Sequence, residues 1–266
     1  MTDLPKTRRL KLEDKGDGVL LVTFNRPEVM NALDTATSED LRDLFTPLNR
    51  APGPWRCIVL TGSGDRAFSA GGDLKERQGM TDAQWRAQHA IIEAGAYGLM
   101  DCVVPIIAAV NGVAFGGGME LALACDFIYA ADTARFALPE VTRGIMPGAG
   151  STQTLPRAVG ERRAREIIMT GAPFSAADAH EWGLINRLLP QADLLPAALN
   201  TARLIARNAP VSVRQIKRAI RYGWSTDIVQ AREIEIMAYN QTVVTEDRQE
   251  GVNAFNEKRP PVFKGY

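Results

Sequence analysis

Two carboxylates stand where carboxylates are costly. Glu120 interrupts the apolar run Met119-Glu120-Leu121-Ala122-Leu123-Ala124, and Glu140 follows Phe136-Ala137-Leu138-Pro139. Removing an ionised carboxylate from water costs several kcal/mol unless it is paired, hydrogen-bonded or protonated. Each glutamate is therefore either a pKa-tuned acid or base or a structural acceptor, and for Glu140 the end of a solvated loop after a proline is a further reading. Two glycine loops offer the complementary chemistry: Ala67-Phe68-Ser69-Ala70-Gly71-Gly72-Asp73-Leu74-Lys75 and Ala114-Phe115-Gly116-Gly117-Gly118-Met119-Glu120. Missing side chains allow close approach to backbone N–H groups, and a following helix N-terminus adds unpaired donors, so each loop could hold an anion or a developing oxyanion. A tight turn with close helix packing uses glycine in the same way.

Other chemistries find little support. Neither loop follows G-x-x-x-x-G-K-[ST], and neither gives G-x-G-x-x-G with an acidic residue about 20 positions on, so nucleotide-binding readings lose their main evidence. His89 and His180 lack partner spacing for a metal, and there is no G-x-S-x-G elbow. No metal site is expected. Acid–base work falls to carboxylates.

Stepping outward from these residues, the first half of the chain alternates strand and helix signals. Val19 to Phe24 and Ile58 to Thr61 read as strands; between them Leu41, Leu44, Phe45 and Leu48 recur at helical spacing behind a cap at Thr37 or Ser38. A helix is expected over Asp82 to Met100. Pro105 to Val110 reads as a strand leading through a turn into the glycine-opened helix that carries Glu120. After Gly160 the pattern is helical almost throughout, with no competing strand signal. The expected class is α/β, with a core over residues 1–190 and a helical part over residues 191–266.

The chain has 266 residues, with 31 Lys and Arg against 31 Asp and Glu. A net charge of zero supplies no long-range field toward nucleic acid or an anionic membrane. Cys57, Cys102 and Cys125 form an odd, widely spaced set that reads as reduced core thiols. Pro105, Asn111-Gly112 and the triplet Gly116 to Gly118 break up the most apolar stretch, which excludes a membrane-spanning helix. With no secretory or transit signal in the opening residues, a cytoplasmic location is expected.

Taken together, Phe24-Asn25-Arg26-Pro27 with Asn31-Ala32-Leu33, AFSAGGDLKE at 67–76, PIIAAVNGVAFGGGMELALACD at 105–126, FALPEVTRGIMPGAGSTQTLPRAVG at 136–160 and AFNEKRPPVF at 254–263 make the chain resemble the crotonase, or enoyl-CoA hydratase, superfamily over nearly its whole length. The resemblance implies a spiral of ββα units with a C-terminal helical part that builds trimers or dimers of trimers. It implies an acyl-CoA substrate and no separate cofactor, coenzyme A being part of the substrate. It places an oxyanion hole at the N–H groups of Gly72 and Gly117, with Glu120 as base toward water and Glu140 as proton donor. It further assigns Arg26, Ala70, Gly72, Asp73, Leu74, Lys75 and Gly117 to substrate binding, with Lys75 near a CoA phosphate and Phe255 and Lys258 reaching a neighbouring subunit's CoA. Many relatives carry alanine where Gly72 stands.

Within the superfamily, Gly71, Asp73 to Arg77 and the tail from Glu246 to Pro261 look most like the methylglutaconyl-CoA hydratase branch, one member of which binds AU-rich RNA. The matching helix, 37–56, has no lysine, and its Arg42, Arg50 and Arg56 are balanced by Glu39, Asp40 and Asp43. An RNA-tracking basic stripe is therefore absent. Isomerisation, carnitinyl-CoA dehydration, decarboxylation or C–C cleavage on the same oxyanion hole remain alternatives, as does a non-catalytic scaffold.

Overall fold

The computed structural model describes residues 4–266. Its first two-thirds repeat one motif, two strands followed by a helix. Strands β1 (Leu10–Asp14) and β2 (Val19–Phe24) precede α1 (Thr35–Leu48); β3 (Cys57–Gly62) and β4 (Ala67–Ser69) precede the short α2 (Leu74–Arg77) and the long α3 (Asp82–Met100). Strands β5 (Ile106–Val110) and β6 (Val113–Phe115) precede α4 (Gly117–Ala124); β7 (Phe127–Ala131) and β8 (Arg135–Ala137) precede a 3-10 turn (Pro139–Arg143), α5 (Ser151–Val159) and α6 (Glu161–Thr170). The two strands of each unit go to different sheets. One sheet has the order β1-β2-β3-β5-β7-β10 and the other β4-β6-β8-β9, where β9 is Phe174–Ser175 and β10 is Arg187–Leu189. Pairing is parallel except for β1 with β2 and β8 with β9. This is the expected spiral of ββα units.

Burial explains the strand sequences. Every residue of β2, β3 and β5 is buried, which is why they read as continuous apolar runs rather than alternating ones. Helix α7 (Ala176–Glu181) follows β9, and α8 (Gln191–Ala206) packs across β2, β3, β5 and β7, burying Leu194, Ala198, Ala202 and Ala206. Helices α9 (Pro210–Gly223), α10 (Ile228–Val243) and α11 (Glu246–Asn256) bury far less; α9 and α10 lie against each other.

Three local expectations need correction. The cap of α1 is Asp34, not Thr37 or Ser38: its Oδ1 accepts from both the N–H and the hydroxyl of Thr37, at 2.8 and 2.7 Å, so the helix starts earlier. Strands β9 and β10 lie in the stretch expected to be helical; two and three residues are too short to show a period of two. The edge strand β1 also escaped the sequence reading, because its LKLED alternates over only five residues.

Candidate active site

The glycine loops meet because glycine lets backbone press on backbone. A Cβ on Gly118 would stand 2.3 Å from the Ser69 carbonyl oxygen, and one on Gly71, which has φ +89°, would stand 2.6 Å from the Phe115 carbonyl oxygen and 3.3 Å from the Gly117 nitrogen. The β4–α2 and β6–α4 connections therefore lie side by side. The Leu33 N–H donates to the Gly71 carbonyl at 2.9 Å, and the Asp73 N–H donates to the Leu33 carbonyl at 3.0 Å. This parallel bridge uses the groups flanking Gly72 and turns the Gly72 N–H away from Leu33. Gly117 opens α4, where no intrahelical acceptor exists for its N–H. A Cβ on Gly117 would lie 3.9 Å from the Gly72 nitrogen, so the two free donors are neighbours.

Both glutamates reach this place. Glu120 sits in the first turn of α4, 5% exposed. Its Oε1 accepts from the Ala149 N–H at 2.8 Å, the Ser151 N–H at 3.3 Å and the Ser151 hydroxyl at 2.9 Å. These donors stand at the start of α5, so the carboxylate faces a second helix N-terminus as well as its own. Glu140 begins the 3-10 turn after β8. One of its oxygens would be 2.9 Å from a Cβ on Gly116, and its Oε2 is buried with no hydrogen-bond partner among the described residues. Burial pushes its carboxyl up to about 7, opposed by a hydrogen bond from its own backbone and assisted by the charge of Glu120.

One cavity of about 660 Å³ gathers these groups: Ala70, Gly72, Leu74, Gly117, Glu120 and Glu140 all line it. Arg26, Asp73 and Lys75 do not. The Arg26 guanidinium donates to the Ala32 carbonyl at 2.8 Å and to Asp73 at 3.1 Å, and pairs with Asp34 at 3.4 Å. Asp73 also caps α2 through the Lys75 N–H, and Lys75 itself is exposed. Arg26 and Asp73 thus brace the loop that presents Gly72. Phe255, on α11, is 83% exposed, and Lys258 is exposed with a φ of +55°.

Several lining residues went unnoticed as site residues in the sequence. Ala149 and Ser151 hold Glu120; the signal was the small-residue run Pro147 to Ser151 ahead of a helix. Arg77, Trp85 and His89 form another wall, with Ile145 and Met146 opposite. His89 Nε2 lies 3.4 Å from Glu93 Oε1, and its ring packs where a Cβ on Gly148 would intrude. Among the described residues, no group of three or more His, Cys, Asp or Glu could hold a metal, and no helix is long and apolar enough to cross a membrane.

Comparison with known proteins agrees with this geometry. Residues 14–266 match the model of the family described as Enoyl-CoA hydratase/isomerase. The chain is 38% identical over 251 residues to a crotonyl-CoA hydratase of Syntrophomonas wolfei, covering 94% of this chain and 96% of that protein. It is 39% identical over 253 residues to the mevalonyl-coenzyme A hydratase sidH of Aspergillus fumigatus, covering 92% and 91%. The crystal structure of an enoyl-CoA hydratase from Bacillus anthracis superposes with a TM-score of 0.94 at 41% identity, over 97% of this chain and all of that one. Spiral fold, converging loops and full-length similarity together place the chain in the enoyl-CoA hydratase/isomerase family, within the crotonase superfamily.

Proposed function

We propose that this chain is an enoyl-CoA hydratase, adding water across the 2,3 double bond of a 2-enoyl-CoA to give the 3-hydroxyacyl-CoA. The observation that carries the reading is the meeting of Glu120 and Glu140 in one cavity with the unpaired N–H groups of Gly72 and Gly117. The thioester oxygen sits between the two amides. As water attacks C3, Glu120 takes its proton, the double-bond electrons move onto the thioester oxygen as an enolate, and the amides stabilise that charge. One preorganised donor of this kind is worth about 3–4 kcal/mol. The enolate collapses as C2 takes the proton that Glu140 holds. A carboxyl raised to about 7 retains that proton near neutrality, while the hydrogen-bonded Glu120 is ready as acceptor. The pair exchanges protons, so its titration belongs to both residues.

Coenzyme A enters as part of the substrate, along Ala70, Leu74 and the exposed Lys75. The chain works as a homo-oligomer, a trimer or dimer of trimers, and the unpaired thiols suit a reducing compartment such as the cytoplasm. The two-glutamate arrangement favours hydration over isomerisation or dehydration of other acyl-CoAs. The test is product analysis with a panel of enoyl-CoAs: a product heavier by one water is expected. Glu120→Gln should lower kcat by roughly 10²-fold or more with acyl-CoA binding retained. A shifted double bond without added water, or full activity in Glu120→Gln, overturns the reading.

A further inference from the structure

Arg77 brings a positive charge into the reaction cavity without a carboxylate partner. It closes α2 and is half-buried. Its Nε donates to Gln88 Oε1 at 2.9 Å, its Cζ stacks 4.4 Å from the centre of the Trp85 ring, and the same atom lies 3.8 Å from where a Cβ on Gly72 would stand. Gln88 is locked in turn, its Nε2 donating to Thr35 Oγ1 and to Glu76 Oε2, each at 2.9 Å. Glu76 is the acidic neighbour, but its Oε2 is occupied by the Thr35 N–H and the Gln88 amide. Among the described residues no carboxylate lies within 4.0 Å of the Arg77 nitrogens. Burial pulls the guanidinium below its ordinary value, with Glu76 opposing.

A fixed, partly desolvated guanidinium whose two Nη groups find no protein acceptor is a receptor for a planar anion. An apolar acyl chain alone would leave it uncompensated. The other charged groups of the cavity do not answer it: Glu93 faces His89, Arg86 and Arg143 share its sign, and Glu120 and Glu140 belong to the reaction. We propose that Arg77 binds a carboxylate at the far end of the acyl chain, so that the preferred substrates are 2-enoyl-CoAs of dicarboxylic acids. The substrate class rests on the hydratase reading; the anion site does not. Phosphates of coenzyme A share the chemistry, but they lie a full pantetheine arm from the thioester oxygen, whereas Arg77 adjoins Gly72.

The experiment compares matched ligands on the full-length protein. Glutaryl-CoA and butyryl-CoA, which are saturated and cannot be hydrated, are titrated calorimetrically into wild type, Arg77→Gln and Arg77→Lys, with free CoA as a third ligand. Wild type should favour glutaryl-CoA by roughly tenfold or more, Arg77→Gln should lose that preference, and Arg77→Lys should keep part of it. Free CoA should bind all three alike. In turnover, the kcat/KM ratio of glutaconyl-CoA over crotonyl-CoA should fall at least tenfold in Arg77→Gln. Equal wild-type affinity for glutaryl- and butyryl-CoA, or an equal weakening of free CoA in Arg77→Gln, overturns the proposal. A glutaryl-CoA preference that depends on Arg77 without hydration of glutaconyl-CoA would leave the anion site standing and remove the hydratase reading. Arg77→Lys keeps the charge and the stem over Trp85, so it reports even where Arg77→Gln folds poorly.

Discussion

Glu140 couples catalysis to pH. Its carboxyl is raised from 4.5 to about 7, chiefly by burial, so the folded protein holds a proton that the unfolded chain releases near 4.5. Between those values the native state binds more protons, and stability falls as pH rises through the window. Glu140→Gln should therefore melt higher than wild type at pH 8.5, by roughly 2 °C or more, and almost with it at pH 4.5, as measured by calorimetric unfolding. The proton donor must also carry its proton, so wild-type kcat should decline above about pH 7, approaching tenfold per pH unit. A hydration rate that stays level to pH 9 would remove Glu140 from that role.

At the scale of elements, the loops of α2 and α4 set the oxyanion hole, and their glycines are not equivalent. Gly72 has no positive φ, and a Cβ there meets only Arg77 Cζ at 3.8 Å and Nη2 at 3.9 Å. Gly72→Ala keeps the N–H and should retain most activity, with a gain of about 0.4–1 kcal/mol in denaturant-measured stability from the stiffer unfolded chain. Gly71→Ala should fail, since a Cβ 2.6 Å from the Phe115 carbonyl oxygen at φ +89° forces the two loops apart. The Arg26 brace belongs here too. Its side chain is 15% exposed and ties Asp34, the cap of α1, to Asp73, the cap of α2. Arg26→Met leaves two carboxylates without their cation, and should cost about 3 kcal/mol of unfolding free energy and lower kcat as the Gly72 N–H loses its support.

For the molecule as a whole, exposed area is the informative quantity. The isolated chain exposes 13950 Å², against about 11,400 Å² for a typical compact monomer of its mass. The surplus is concentrated where α9 to α11 present Ile216, Ile220, Trp224, Ile228, Met237 and Phe255 to solvent. Apolar area of this kind is what subunit interfaces cover. Sedimentation should give a multiple of 29.0 kDa, and Trp224→Asp with Ile228→Asp should shift it toward the single-chain mass. The core behaves oppositely. Burial pushes the Cys57 and Cys102 thiols up to about 12 and about 11, and raises Cys125 as well. Native protein at pH 7.5 should therefore resist maleimide labelling that the denatured chain accepts.

Much of this was legible in the residues. Glu120 declared itself as a charge inside an apolar run, the glycine loops marked close backbone approaches, and β2, β3 and β5 were readable because strands buried on both faces carry no polar alternation. The caps and short strands were not. Asp34 caps α1 through a side chain whose other oxygen Arg9 and Arg26 approach from distant segments, and β9 and β10 exist only because β8 and β7 stand ready to pair with them. The site divides in the same way. Local sequence determined which groups could act as acid, base or N–H donor. Tertiary structure decided that Gly72, Gly117, Glu120 and Glu140 share one cavity, that Arg26 braces a loop instead of lining that cavity, and that Arg77 turns a free guanidinium edge toward the reacting end. Residue type and spacing are local properties, whereas convergence, burial and the choice of partner depend on how separate turns of the spiral stack.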